Sequence, residues 1–273
     1  MIEKGTFCLS FDFELLWGRK DLDYSSFVPR ARKTRKVIPR ILALLKKYDV
    51  PATWATVGEL FNKPTKEKDS DLWHAPDLIN KIKRVKEQEI GTHTYSHEIF
   101  DKISKTTADS ELKSVFKRHK PQSFVFPRNR IGHLDVLRKY KIKSYRGPDR
   151  FDFELFKTYK YVKLFEMLST PRVSNPVVEQ GIVNIPGSMY FLSARGVRKH
   201  MPFGFRTGFA KRGIDRAIAT KKVFHMWTHP IDFADDSNRL LAEFGEILQY
   251  ASKQRSLGKL QIKNMQQIAR DCL

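Results

Sequence analysis

The sequence predicts an α/β fold of the (β/α) barrel type, distorted and with seven or eight strands, and three observations predict it. Short apolar, β-rich runs alternate with longer segments of helical period, the pattern of βα units around a parallel sheet. A length of 273 residues with 41% hydrophobic content suits one core of that kind, so residues 1–273 are read as a single domain. The first strand runs into Asp12-Phe13-Glu14, whereas an open, doubly wound sheet usually carries a glycine-rich phosphate turn there.

The expected strands run from Thr6 to Phe11, Ala52 to Val57, Glu89 to His93, Ser123 to Phe126, Ile142 to Tyr145, Gly181 to Ile185, Lys222 to Trp227 and Leu260 to Ile262. Between the first two, Val37, Ile41, Leu44, Leu45 and Tyr48 fall on one face of a helix that starts at about Arg32. Thr106-Thr107-Ala108-Asp109 is a capping signal ahead of Leu112, Val115 and Phe116, and Ser237 to Leu257 is a long amphipathic helix closed by Gly258.

Composition excludes several classes. The longest aliphatic run is Ile41-Leu42-Ala43-Leu44-Leu45, far short of the ~20 apolar residues of a membrane-spanning helix. Strand-like sequence begins at Thr6, which leaves no room for a secretion signal, so a cytoplasmic location is expected. Cys8 and Cys272 alone make neither a disulfide framework nor a thiolate metal cluster. A formal charge of +21 gives a surface that attracts anions: nucleic acid, an acidic or phosphate-linked glycan, or an anionic membrane face at which the protein makes a peripheral contact. No zinc finger, helix-turn-helix signature or aromatic RNP-type motif accompanies the charge, so no nucleic acid is expected as partner, although a basic nucleic-acid-binding protein is the competing class. Two aromatic-rich stretches stand out. Arg195, Arg198, Lys199, Arg206, Lys211 and Arg212 interleave with Phe191, Phe203, Phe205 and Phe209 in a loop-like segment, and Phe151, Phe153, Phe156, Tyr159, Tyr161 and Phe165 follow Tyr145.

In a β/α barrel the chemistry is built from the strand C-terminal ends and the loops after them. Here those ends carry Asp12 and Glu14, His93 and His97, Pro127-Arg128-Asn129, and Thr228-His229-Pro230. Two histidines four apart fall on one face of a helical turn and can bind one cation, and one carboxylate completes a facial triad. By strand alternation Asp12 and Glu14 project to the same side, so one can ligate a metal while the other accepts a proton.

These motifs resemble, in order and in position, those of the polysaccharide deacetylases, the NodB-homology or carbohydrate esterase family four enzymes, from about Thr6 to Phe233. Ser10-Phe11-Asp12-Phe13-Glu14 resembles the first motif, Thr-Phe-Asp-Asp-Gly, and His93-Thr-Tyr-Ser-His97 matches the His-Ser/Thr-x-x-His motif. Phe124-Val-Phe-Pro127-Arg128-Asn129 resembles the aromatic, proline-rich third motif, and His225-Met-Trp-Thr-His229-Pro230 the last, a hydrophobic strand ending in His.

The resemblance implies a deacetylase-like barrel that holds one divalent metal through His93, His97 and a carboxylate, zinc first, with cobalt, nickel, iron or manganese also able to serve. In the family the first Asp of motif one is the base and the second is the ligand, but Phe13 stands at the second position here. Either Asp12 is the base and Glu14 reaches the metal, which is preferred, or the two exchange roles. His229 is the expected general acid, Arg128, or in its place Arg130, orients Asp12, and backbone amides near Tyr95 or Arg128 meet the oxyanion. The implied activity is a carbohydrate N-deacetylase, a hydrolase removing an N-acetyl or similar acyl group from a sugar during biosynthesis of a surface polysaccharide such as lipopolysaccharide or capsule. Its substrate is an N-acetylated saccharide, anionic or phosphate-linked. A catalytically inactive glycan-binding relative and an amidohydrolase acting on a small cyclic amide are the alternatives within the fold. The sequence assigns neither substrate-binding residues nor an oligomeric state.

Overall fold

The computed structural model describes residues 3–149 and 170–273. Its centre is β1 (Gly5–Phe13), in which Phe7, Leu9, Phe11 and Phe13 alternate with smaller residues and every residue is buried. A strand buried on both faces can do without the polar alternation of a surface strand, which is why this run is apolar almost throughout. β1 pairs in parallel with β2 (Ala52–Thr56) through Ser10 to Phe13, and with β9 (Val223–Thr228) through Thr6 to Phe11. Its first residues, Gly5 to Phe7, pair with β10 (Leu260–Ile262).

Outward from β2 come β3 (Gln88–Thr92), β4 (Ser123–Val125), β5 (Ser144–Arg146), β7 (Ile182–Asn184) and β6 (Val177–Glu179), and outward from β9 comes β8 (Met189–Tyr190). All pairings are parallel except the β6–β7 hairpin, and among the described residues the outer strands β6 and β8 do not pair with each other. The fold class is therefore α/β as expected, with the sheet open over the described residues. Each of the eight expected strands is present within two residues. β6 and β8, three and two residues long, are additions, too short to show a period.

Helices cover the sheet: α1 (Val28–Tyr48), α2 (Pro76–Lys83), α3 (Lys105–Phe116), α4 (Leu134–Lys139), α5 (Phe205–Thr220), α6 (Ser237–Ser256) and α7 (Met265–Cys272). α1 starts a turn earlier than expected because Pro29 sits in its first turn, where a missing N–H is no loss. α3 is capped by Ser104, whose hydroxyl accepts from the Thr107 amide at 3.1 Å, so the cap lies two residues before the expected one. α6 is capped by Asp236, and Gly258, at φ 71°, follows its end. Among the described residues no helix is long and apolar enough to cross a membrane. The aromatic run from Phe151 to Phe165 lies outside the described residues.

The basic, aromatic stretch expected as a loop becomes α5 from Phe205 onward, and one of its cations turns inward. Arg206 is fully buried, binds Glu243 of α6 at 2.9 Å and donates to the Leu192 carbonyl at 2.8 Å. Glu243, also fully buried, accepts from the Gly204 amide at 3.0 Å, which ties the 192–206 segment to α6. A buried ion left without its partner is costly, whereas an apolar pair of similar volume is not. Arg206→Met should therefore destabilise the protein by about 3–5 kcal/mol in urea denaturation. Arg206→Met/Glu243→Leu should recover most of that loss, and equal loss in both variants would show that the buried charge is not the cause.

Candidate functional site

β1 delivers its carboxylates to a cleft of about 350 Å³ lined by Asp12, Glu14, Gly18, Arg19, His93, His97, Arg128, Asn129, Trp227 and His229. Directly after β1 the chain turns back, the Trp17 amide donating to the Glu14 carbonyl at 2.9 Å. The turn brings Gly18 so close that a Cβ there would lie 1.9 Å from Glu14 Oε1. Only glycine leaves the Glu14 carboxylate its place.

That carboxylate meets two imidazoles: Glu14 Oε2 is 3.1 Å from His97 Nε2 and 3.4 Å from His93 Nε2. One ligand atom from each of the three residues lies within 4.8 Å of the other two. His93 Nδ1 faces the Val125 carbonyl at 2.8 Å, which fixes the ring with Nε2 directed at Glu14. Two imidazole nitrogens and one carboxylate oxygen, with a glycine cradle behind, suit a single divalent cation of the zinc type.

The histidines converge by a route other than the expected helical turn. Thr94 and His97 have φ of 64° and 63°, left-handed values that a right-handed turn cannot contain. The loop between them is held instead by Glu111 of α3, which accepts from the amides of Tyr95 (2.8 Å) and Ser96 (2.9 Å) and from the Ser96 hydroxyl (2.9 Å). With its amide thus engaged, Tyr95 is not the free oxyanion donor that was expected.

Asp12 is almost wholly buried, and the guanidinium that grips it is Arg146, the last residue of β5. Arg146 donates to both oxygens, at 2.6 and 2.8 Å, and also to Asn129 Oδ1 at 3.0 Å and Ser10 Oγ at 3.3 Å. Its Cζ lies 4.2 Å from the centre of the Trp227 ring. The two residues expected in that role are elsewhere. Arg128 and Asn129 adopt φ of 57° and 54°, which leaves Arg128 exposed and turns the Asn129 amide oxygen toward Arg146. Arg130 binds Asp101 at 2.6 Å. Arg146 was within reach of the strand-end rule, since it follows the expected strand Ile142 to Tyr145 directly.

His229 Nε2 is 3.7 Å from Asp12 Oδ2 and 3.8 Å from Glu14 Oε1. Its Nδ1 lies 3.1 Å from Asp232 Oδ2, an oxygen that also accepts from the Tyr190 hydroxyl at 2.6 Å. Burial works against each of these charges and is outweighed. Arg146 holds the Asp12 carboxyl below the usual range. His229, with hydrogen bonds from His93 and His97, holds Glu14 well below it. Glu14, Asp232 and Asp12 in turn push His229 up to about 9.

The family model for polysaccharide deacetylases matches residues 23–128, a span that contains His93, His97 and Arg128 and starts after Asp12 and Glu14. Among solved structures, the chain is similar to a Mycobacterium smegmatis protein classed as a polysaccharide deacetylase. That match has a TM-score of 0.70 and 15% identity over 98% of this chain and 90% of the other. A Pseudomonas aeruginosa PAO1 protein of the same class gives 0.68 and 13% over 97% and 89%. The Puue allantoinase gives 0.67 and 14% over 97% and 89%. No curated protein matches the chain in sequence. The fold is that of the polysaccharide deacetylases.

Gly18→Ala should push the Glu14 carboxylate aside and weaken zinc binding roughly tenfold or more in a chelator competition, with the circular dichroism spectrum unchanged. In metal-free protein His229 has a folded pKa raised from 6.5 to about 9. Its stabilisation is complete below pH 6.5 and disappears as pH rises through about 9, a loss on the order of 3 kcal/mol. Urea denaturation at both ends of that window should show the loss in wild type and not in His229→Gln; the same slope in both would assign it to other groups.

Proposed function

We propose that the cleft removes an N-acetyl or similar acyl group from a sugar, as a metal-dependent carbohydrate deacetylase working in the assembly of a surface polysaccharide. The observation that carries this reading is Glu14 Oε2 set 3.1 and 3.4 Å from the imidazoles of His97 and His93, with Asp12 and His229 beside it. Glu14, His93 and His97 would hold the cation, which when bound supplies Lewis acidity to the acyl carbonyl and to the attacking water.

The remaining groups divide the proton work. Asp12, kept ionised by Arg146, accepts the proton of the attacking water, and the two-pronged grip fixes which way its oxygens face. An amine leaves poorly unless protonated, and His229 supplies that proton. Asp232 receives the Nδ1 hydrogen, so the acidic Nε2–H is directed toward Asp12 and Glu14. A depressed carboxyl beside a raised imidazole gives base and acid forms together at neutral pH. The pairing of Glu14 with both histidines, and of Asp12 with an arginine, supports Glu14 as ligand and Asp12 as base.

Phe13 favours a second reading. It occupies the second position of the first motif and is fully buried in the core, so it offers no ligand, as in a relative that binds glycan without turning it over.

Acetate release and metal content separate these readings. Asp12→Asn should lower kcat on an N-acetylated sugar by roughly 10²–10⁴ and retain about one bound metal, whereas Glu14→Gln should lose the metal. The opposite pattern would exchange the two roles, and metal without acetate release in wild type would favour the glycan-binding relative.

A further inference from the structure

Two guanidinium groups line the cleft, and a third packs on the same aromatic ring as one of them. Arg19 and Arg128 are the two that line the cleft. Arg19 and Arg195 pack on the same ring, their Cζ atoms 4.3 and 5.0 Å from the centre of Phe27. Arg30 also packs on Phe27, at 5.2 Å, but its charge is matched by Asp235 through bonds of 2.8 and 2.9 Å. Among the described residues Arg19, Arg128 and Arg195 make no ion pair, and the two cleft carboxylates are committed to Arg146 and to the histidines.

The three arginines come from separate parts of the chain: the turn Trp17–Arg19 after β1, the turn Pro127–Asn129 after β4, and the residue before the turn Gly196–His200. Two features keep them together. Phe27, nearly buried at the start of α1, is a shared platform on which guanidiniums stack. Arg128 is held at φ 57°, a conformation that costs an ordinary residue on the order of 1 kcal/mol. Like charges so arranged repel, and the effect is visible at Arg19. Partial burial lowers its proton affinity, Glu14 opposes this, and Arg128, Arg30 and Arg195 lower it further. An anion between the guanidiniums would relieve that repulsion.

We propose that Arg19, Arg128 and Arg195 form an anion subsite that binds a phosphate or carboxylate carried by the saccharide whose acyl group enters the cleft, an assignment that rests on the deacetylase reading. Guanidinium groups bind either oxyanion two-pronged, and Arg19 and Arg128 line the same cleft as Glu14 and the histidines, so the acyl group and the anionic group belong to one small molecule or to neighbouring units of one chain.

The test is calorimetric titration of the intact, metal-loaded protein with N-acetylglucosamine, its 1-phosphate and N-acetylglucosaminuronic acid. The expected result is that one charged sugar binds wild type at least about tenfold more tightly than the neutral sugar. That ratio should fall to about threefold or less in Arg19→Gln/Arg195→Gln, with an intermediate value in Arg19→Lys, which keeps the charge and loses the fork. Whichever charged sugar carries the ratio identifies the group as phosphate or carboxylate. A ratio near one in wild type, or a ratio that survives the double substitution, overturns the subsite. Acetate release from the favoured sugar reports separately on the deacetylase reading: preference without acetate leaves the subsite and removes that reading, and acetate without preference does the reverse.

Discussion

Two carboxylates at the end of one buried strand must each be met by positive charge, because an uncompensated ion out of water costs several kcal/mol. Much of the cleft is the answer to that demand. Asp12 takes Arg146, and Arg146 in turn needs the faces and acceptors that Trp227, Asn129 and Ser10 supply. Ser10 continues the chain to His225 Nε2 at 2.9 Å, a buried imidazole whose pKa is pushed down to about 3 by burial and by Arg146, so it stays neutral. Glu14 takes His93, His97 and the His229 charge. The ends of β1, β3, β5 and β9 are thereby locked to one another by charge as well as by the sheet.

What was legible in the sequence follows from these physical origins. Buried parallel strands such as Gly5–Phe13 and Val223–Thr228 are runs of apolar residues and read plainly. Asp12, Glu14, His93, His97 and His229 were legible because such groups at strand ends have few structural uses. Arg146 stood at a strand end too but carried nothing to single it out: in a chain with 51 lysines and arginines, one more cation looks like surface. Glu111 was hidden for the opposite reason, since its work is done on backbone amides of Tyr95 and Ser96, which leave no mark in a sequence. Asp232 lies three residues past His229, and that spacing was the one available signal for it.

The backbone around the cleft is strained in the same places that carry the chemistry. Thr94, His97, Arg128 and Asn129 all have positive φ, and none is glycine. Such conformations persist where surrounding bonds over-determine them, and here Glu111 and the Arg146–Asn129 bond do so. Regular elements would have been easier to foresee and would aim these side chains differently.

β1 also imposes an order of assembly. Its partners lie at opposite ends of the chain, Ala52–Thr56 near the start and Val223–Thr228 and Leu260–Ile262 near the finish. On the ribosome, residues 5–13 leave the tunnel long before β9 is made, an interval of roughly ten to forty seconds at ordinary elongation rates. Any pairing of β1 with β2 in that interval leaves open the edge of β1 that β9 covers in the finished sheet. The strand that defines the cleft thus cannot complete its pairing until the last part of the chain has been made.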